Sequence, residues 1–153
     1  MTLACFATSC NNAGIMPRFA LLHHHCPPHF GKPSHWDFML ESDGALRTWE
    51  LQELPSAWAT QLGETSSAES GGAATVTARQ LPDHRLAYLD YEGPLTGDRG
   101  RVRCCQRGTY QLLQQGEKNL IVVLAGALLR GKVQLERQCQ AWILVPCADE
   151  TID

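Results

Sequence analysis

From Arg18 onward the chain is written in short segments that are apolar or alternate polar with apolar, and glycine or proline separates most of them. RFALLH, HWDFMLE and ALRTWEL are the first three. Segments Arg85–Tyr91, Gly100–Arg107, Thr109–Leu113, Asn119–Leu124, Lys132–Arg137 and Ala141–Val145 follow. Runs this short cannot form helices with a useful buried stripe, but each can act as a strand that gives one face to a shared core. Many short strands at regular spacing predict a mostly β domain, a single β-barrel of about eight short strands with little helix. The one helix-compatible stretch is Ser56–Leu62.

At 153 residues the chain has the length of one domain and can bury a core without disulfides or structural metal. The domain is expected over residues 17–149, after a flexible arm at 1–16 that has no periodic pattern and before a tail at 150–153. The small polar stretch Gly63–Ala74 reads as a mobile loop within that domain. Hydrophobic residues at 44% and charged residues at 19% are ordinary for a folded protein and argue against disorder.

The net charge of −3 gives no global attraction to nucleic acid, so any contact with a polyanion has to be local. Arg99, Arg101, Arg103 and Arg107 form such a patch, for which a solvated strand face is an equally good reading. The seven cysteines are odd in number and contain no CxxC pair, which suits reduced thiols in a cytoplasmic protein. Cys26, beside a histidine run, could be a soft metal ligand, although a buried structural thiol is the commoner case. No apolar run reaches membrane-span length and the first residues lack the pattern of a signal peptide, so neither membrane insertion nor export is expected.

Two segments carry candidate chemistry. RFALLH delivers the chain into His23, His24 and His25 and, after two prolines, His29; the prolines and glycine of Pro27–Pro33 exclude a helix, leaving these imidazoles on a strand end and a loop. In HWDFMLE strict alternation puts His35, Asp37, Met39 and Glu41 on one strand face and Trp36, Phe38 and Leu40 on the other. A solvent-facing row would be served as well by Lys or Thr, so a His, Asp, Glu row favours a site. The Asp43-Gly44 turn returns ALRTWEL as the hairpin partner. Trp36, Trp49 and Trp142 fall within strand patterns and read as core.

RFALLHHHCP, then HWDFMLE, then HRLAYLDYEG resemble in order the 3′-phosphoesterase domain associated with DNA ligase D. The resemblance continues through GRVRCCQRGTY, LAGALLRGKVQLER and AWILV, from about Pro17 to Asp149. It implies that His24, Asp37 and His84 bind a divalent metal, most plausibly Mn²⁺, and that His35 contacts the scissile phosphate as donor or general acid with Tyr88 beside it. Counting from the strand start selects His24 as the first ligand, whereas counting back from His35 selects His29; His24 is preferred because strand register is held better than a proline-rich loop. Glu41 also matches the family, although it could equally orient a strand or a neighbouring arginine; His23 and His25 read as flanking residues, with His25 the better placed of the two to share the pocket.

The chain departs from the family pattern at Met39, where an arginine commonly grips the phosphate; Arg47, Arg99 or Arg101 could replace it. The implied function is a metal-dependent phosphoesterase that resects DNA or RNA 3′ ends, removing a ribonucleotide or a phosphate to leave a 3′-hydroxyl, in DNA end repair. Without a polymerase or ligase segment it would act alone or with separate ligase, polymerase or Ku-type proteins. The alternatives are a catalytically weakened end-binding module of the same fold, or a cupin-like small-molecule metalloenzyme.

Overall fold

The computed structural model describes residues 15–63 and 74–147; the N-terminal arm expected at 1–16 lies almost wholly outside them, as do most of the expected mobile loop and the tail. Nine strands form one antiparallel sheet: β1 (Arg18–His25), β2 (His35–Ser42), β3 (Ala45–Leu51), β4 (Val76–His84), β5 (Gly93–Pro94), β6 (Arg101–Gln115), β7 (Asn119–Gly126), β8 (Arg130–Gln138) and β9 (Ala141–Pro146). The pairing order is β1-β2-β3-β4-β9-β8-β7-β6-β5, and β1 also pairs with β6, so eight strands close into a ring with β5 outside it. The mostly β reading holds. One helix, α1 (Ser56–Leu62), starts after Pro55 and stops at Gly63 in the left-handed conformation.

The β2–β3 hairpin turns at Asp43 and Gly44, both at positive φ, as a two-residue turn compatible with strand twist requires. Three readings of the sequence change. Arg85–Tyr91 is not a strand: residues Leu86–Leu89 form a 3-10 turn, and the strand of that region is β4 before it. The alternation of HRLAYLDY imitates a strand, but Leu86 and Leu89, three apart, occupy one side of a turn. Gly100–Arg107 and Thr109–Leu113 are one bulged strand, β6. Gly108 does not end it, because this glycine allows close approach: a Cβ there would lie 2.6 Å from the Ala125 carbonyl oxygen. Finally, a 3-10 turn at Pro28–Phe30 interrupts the proline-rich connection, and His23, His24 and His25 lie within β1 rather than beyond its end.

All eight ring strands contribute to the interior core, which includes Phe19, Leu21, Phe38, Leu40, Trp49, Val122, Leu135, Trp142 and Leu144. Trp58 of α1 is almost fully buried there, its ring 5.2 Å from Phe38. Outside the ring, a second cluster of Ala20, Leu22, Met39, Leu46 and Leu89 packs the Leu86–Leu89 turn onto β1, β2 and β3. The two faces of β2 are therefore both buried. Phe38 and Leu40 serve the interior and Met39 the outer cluster, as the alternation requires.

Candidate active site

The polar end of that same outer face is the candidate site. Directly opposed residues of paired strands share a face, and the register runs His24 opposite His35, Leu22 opposite Asp37, Asp37 opposite Glu50, and Glu50 opposite Arg79. Four neighbouring strands thus bring His24, His35, Asp37, Glu50 and Arg79 to one surface. The His24 and His35 rings are 4.8 Å apart, edge to face. His35, Asp37 and Glu50 are all buried, at 1%, 7% and 4% exposure.

Backbone carbonyls fix the histidine tautomers. A carbonyl only accepts, so His35 Nδ1–H donates to Pro33 O at 3.0 Å, His84 Nδ1–H donates to Pro82 O at 3.0 Å, and His24 Nε2–H donates to Arg99 O at 2.7 Å. In the neutral ring the other nitrogen is then a lone pair: Nε2 of His35 and of His84, Nδ1 of His24. This is the arrangement that orients imidazoles for a cation. Two of the three use the same local device, a proline carbonyl two residues upstream. Burial pushes His24 below its ordinary pKa despite the Arg99 hydrogen bond, which keeps it neutral.

Asp37 Oδ1 is a buried oxygen without a hydrogen-bond partner; His35 Nε2 is 3.4 Å away, outside hydrogen-bonding geometry. Burial raises the Asp37 pKa, partly offset by His35, His84 and His24. An orphaned carboxylate oxygen beside imidazole lone pairs is what a cation site looks like without its ion. Among the described residues, the His, Cys, Asp or Glu side chains close enough to share an ion are His24, Cys26 and His35, whose ligand atoms lie within 4.8 Å of one another.

Asp37 and His84 of the expected metal set both lie outside this group. His84 is on the far side of Asp37's strand pair. It enters from the end of β4, opposite Leu46 rather than Glu50, near enough for its charge to act on Asp37. Its ring meets Tyr88 edge to face at 5.6 Å, so His84 and Tyr88 form one lip of the site. His29, the alternative to His24, is away from it on the 3-10 turn, paired with Asp98 at 3.2 Å.

None of the three arginines expected to replace the family's arginine reaches the cluster. Arg47 stacks over Trp49 at 5.1 Å on the opposite face of β3. Arg101 pairs with His25, whose side chain is on the other face of β1 from His24. Arg99 turns its guanidinium back onto Thr96, and only its carbonyl serves the site. His25 is exposed with its ring 6.5 Å from His23, and so does not support the cluster. Glu41 lies at the far end of β2, where it binds Arg18 at 3.1 and 3.3 Å; it orients an arginine and is remote from the imidazoles.

The cations that do border the site are Lys32 and Arg79. Both bind Glu50, at 3.3 and 2.9 Å, and Gln52 donates to the same carboxylate at 2.9 Å. Burial pushes Glu50 up, but the Arg79 hydrogen bond with the His35 and Lys32 charges outweighs it, and the group stays below its usual range. Lys32, Glu50, Gln52, Glu53, Thr77 and Arg79 line a groove of about 520 Å³.

The family model described as the DNA ligase D 3′-phosphoesterase domain matches residues 23–137, well over half of the chain. The chain belongs to this 3′-phosphoesterase family. The matched span contains every residue of the cluster, the His84 and Tyr88 lip, and Lys32, Glu50 and Arg79. No curated protein matches the chain. Met39, where the resemblance implies an arginine, is fully buried among Ala20, Leu22, Leu46 and Leu89.

Proposed function

We propose that the protein is a divalent-cation-dependent phosphoesterase that resects nucleic-acid 3′ ends, removing a terminal ribonucleotide or phosphate to leave a 3′-hydroxyl in DNA end repair. Family membership supports the phosphoesterase class, and the observation that carries the cation is the orphaned Asp37 Oδ1 among imidazole lone pairs. His24, Asp37 and His84 would hold the ion: His24 and His84 each keep one ring nitrogen free of its carbonyl partner, and the charge of both acts on Asp37. His35, 3.4 Å from Asp37, would contact the scissile phosphate. Mn²⁺ is the ion the family resemblance implies. A cation held there would supply Lewis-acid stabilisation of charge developing on the phosphoryl oxygens.

The remaining work belongs to this chain's side chains. His35, with Nδ1–H committed to Pro33, would take up a proton at Nε2 and donate it to a phosphate oxygen or to the leaving group. Tyr88, against the His84 ring, would donate its hydroxyl to the same phosphate. Lys32 and Arg79, oriented by Glu50, would attract the polyanionic strand along the groove, in place of an arginine at position 39. The product is the end that a separate polymerase or ligase extends or seals, and such end-joining proteins, including Ku-type ones, are the proposed partners.

The test is incubation with Mn²⁺ and a primer ending in a 3′-phosphate or a single ribonucleotide. Conversion to a 3′-hydroxyl that disappears in His84→Ala and on chelation supports the enzyme. The packing of Met39 in an apolar cluster favours one second reading, an end-binding module with weakened catalysis; tight binding without turnover would establish it. If neither occurs, the cupin-like alternative returns.

A further inference from the structure

Phe30 is a large apolar side chain that belongs to neither apolar cluster. It is half-buried at the end of the Pro28–Phe30 turn, with its ring 6.3 Å from that of His24. Three contacts hold the turn in place. Cys26 N–H donates to Ser34 Oγ at 2.9 Å and closes the base of the loop. Phe30 N–H donates to Pro27 O at 3.0 Å, and Gly31 follows at positive φ. His29 pairs with Asp98 at 3.2 Å, which ties the turn to the residue before Arg99, whose carbonyl holds His24. Directly after Phe30 the chain runs into Gly31, Lys32 and Pro33, which line the groove shared by Glu50 and Arg79. An aromatic ring is thus fixed beside an imidazole of the cluster and one residue from a groove bordered by cations.

We propose that Phe30 is the platform on which the terminal nucleobase of a 3′-phosphorylated strand stacks, so that the end is recognised by its base as well as its phosphate. This rests on the reading of the cluster as a phosphoesterase site, and adds the residue that grips the nucleoside. A nucleic-acid end carries both complements: phosphates for Lys32 and Arg79, and a flat π-face for the ring. Stacking is indifferent to sequence, because every base has such a face, so ends of any sequence are accepted. Phe30 has no proton or lone pair to offer the reaction. Its contribution is the same in the ground and transition states, and its loss raises KM and spares kcat.

The experiment uses full-length protein, Mn²⁺ and two 3′-phosphorylated oligonucleotides, one with a natural terminal nucleotide and one with a tetrahydrofuran residue in its place, which has no base. The unsubstituted protein should show a KM about tenfold or more lower for the natural end. Phe30→Ala should lose that preference by raising KM for the natural end alone, with kcat little changed, and Phe30→Trp should keep it. Mn²⁺ binding should be the same in all three proteins, whereas a ring that merely steadied His24 would weaken it when removed. A terminal 2-aminopurine, whose fluorescence stacking quenches, reports the contact without turnover: quenching is expected with the unsubstituted protein and not with Phe30→Ala. Equal KM for the two ends in the unsubstituted protein, or an equal rise for both in Phe30→Ala, overturns the proposal, and the first comparison needs no variant to fold. Turnover indifferent to the terminal base would sink only this inference; quenching that depends on Phe30 with no 3′-end conversion would sink only the function proposed above.

Discussion

The outer face of β1, β2 and β3 has two halves that differ in how they are closed. At one end Ala20, Leu22, Met39 and Leu46 are capped by Leu89 and make a dry cluster. At the other, on the same strands and the same face, His35, Asp37 and Glu50 are as removed from water, with His24 half-buried beside them, but are not all satisfied by protein partners. Burial costs little where the groups are apolar and much where a carboxylate oxygen has no donor. A fold keeps such a defect where something else completes it. The dry half fixes the strand register, and the polar half is what that register positions.

The largest expected effect breaks the polar half. Asp37→Asn should reduce metal-dependent 3′-end conversion by about a thousandfold or more. Because burial disfavours the Asp37 carboxylate, the same change should leave the metal-free protein at least as heat-stable at neutral pH, as calorimetry would record. A drop of several degrees would mean that Asp37 is a structural group.

Next comes the dry half. Met39→Arg introduces the residue that the family resemblance implies but buries a cation among four apolar side chains, so stability measured by urea unfolding should fall by about 3 kcal/mol. If the variant is as stable as its parent and binds phosphorylated ends more tightly, the two halves are not separate.

A smaller effect lies at the boundary. Lys32→Ala and Arg79→Ala should each raise KM for a 3′-phosphorylated oligonucleotide about tenfold with kcat little changed, and flatten its salt dependence. Equal loss from kcat would instead put these cations on the reacting group. Smallest is the far end of β2, where hydrogen bonds from Arg18 hold Glu41 below the usual carboxylate range. That stabilisation is present above the unfolded pKa of about 4.3 and lost as pH falls through the lower folded value. Arg18→Ala should therefore cost about 0.5 kcal/mol at pH 7, and the gap should narrow as pH falls below the unfolded value, with no change in activity.

Much of this was legible before any coordinates, and particular residues explain where it stopped. The alternation of HWDFMLE separated Phe38 and Leu40 from His35, Asp37 and Met39 correctly, because period two is a local property of one strand. The two-residue Asp43-Gly44 turn also fixes Asp37 opposite Glu50, so Glu50 was readable from the hairpin yet was passed over inside ALRTWEL. Arg79 was hidden by β4, whose sequence VTARQLPDH alternates weakly and carries a proline. Arg47 was misplaced for a simpler reason: on a strand, being one residue off means the opposite face. The tautomers set by Pro33, Pro82 and Arg99 were beyond sequence, since each depends on where a carbonyl ends up in space.

Anomalous diffraction from crystals of the protein grown with Mn²⁺ tests the central claim most directly. A single strong peak within bonding distance of His24 Nδ1, Asp37 Oδ1 and His84 Nε2 is the predicted result. A peak elsewhere, with Asp37 Oδ1 satisfied by a donor from the protein, would contradict it.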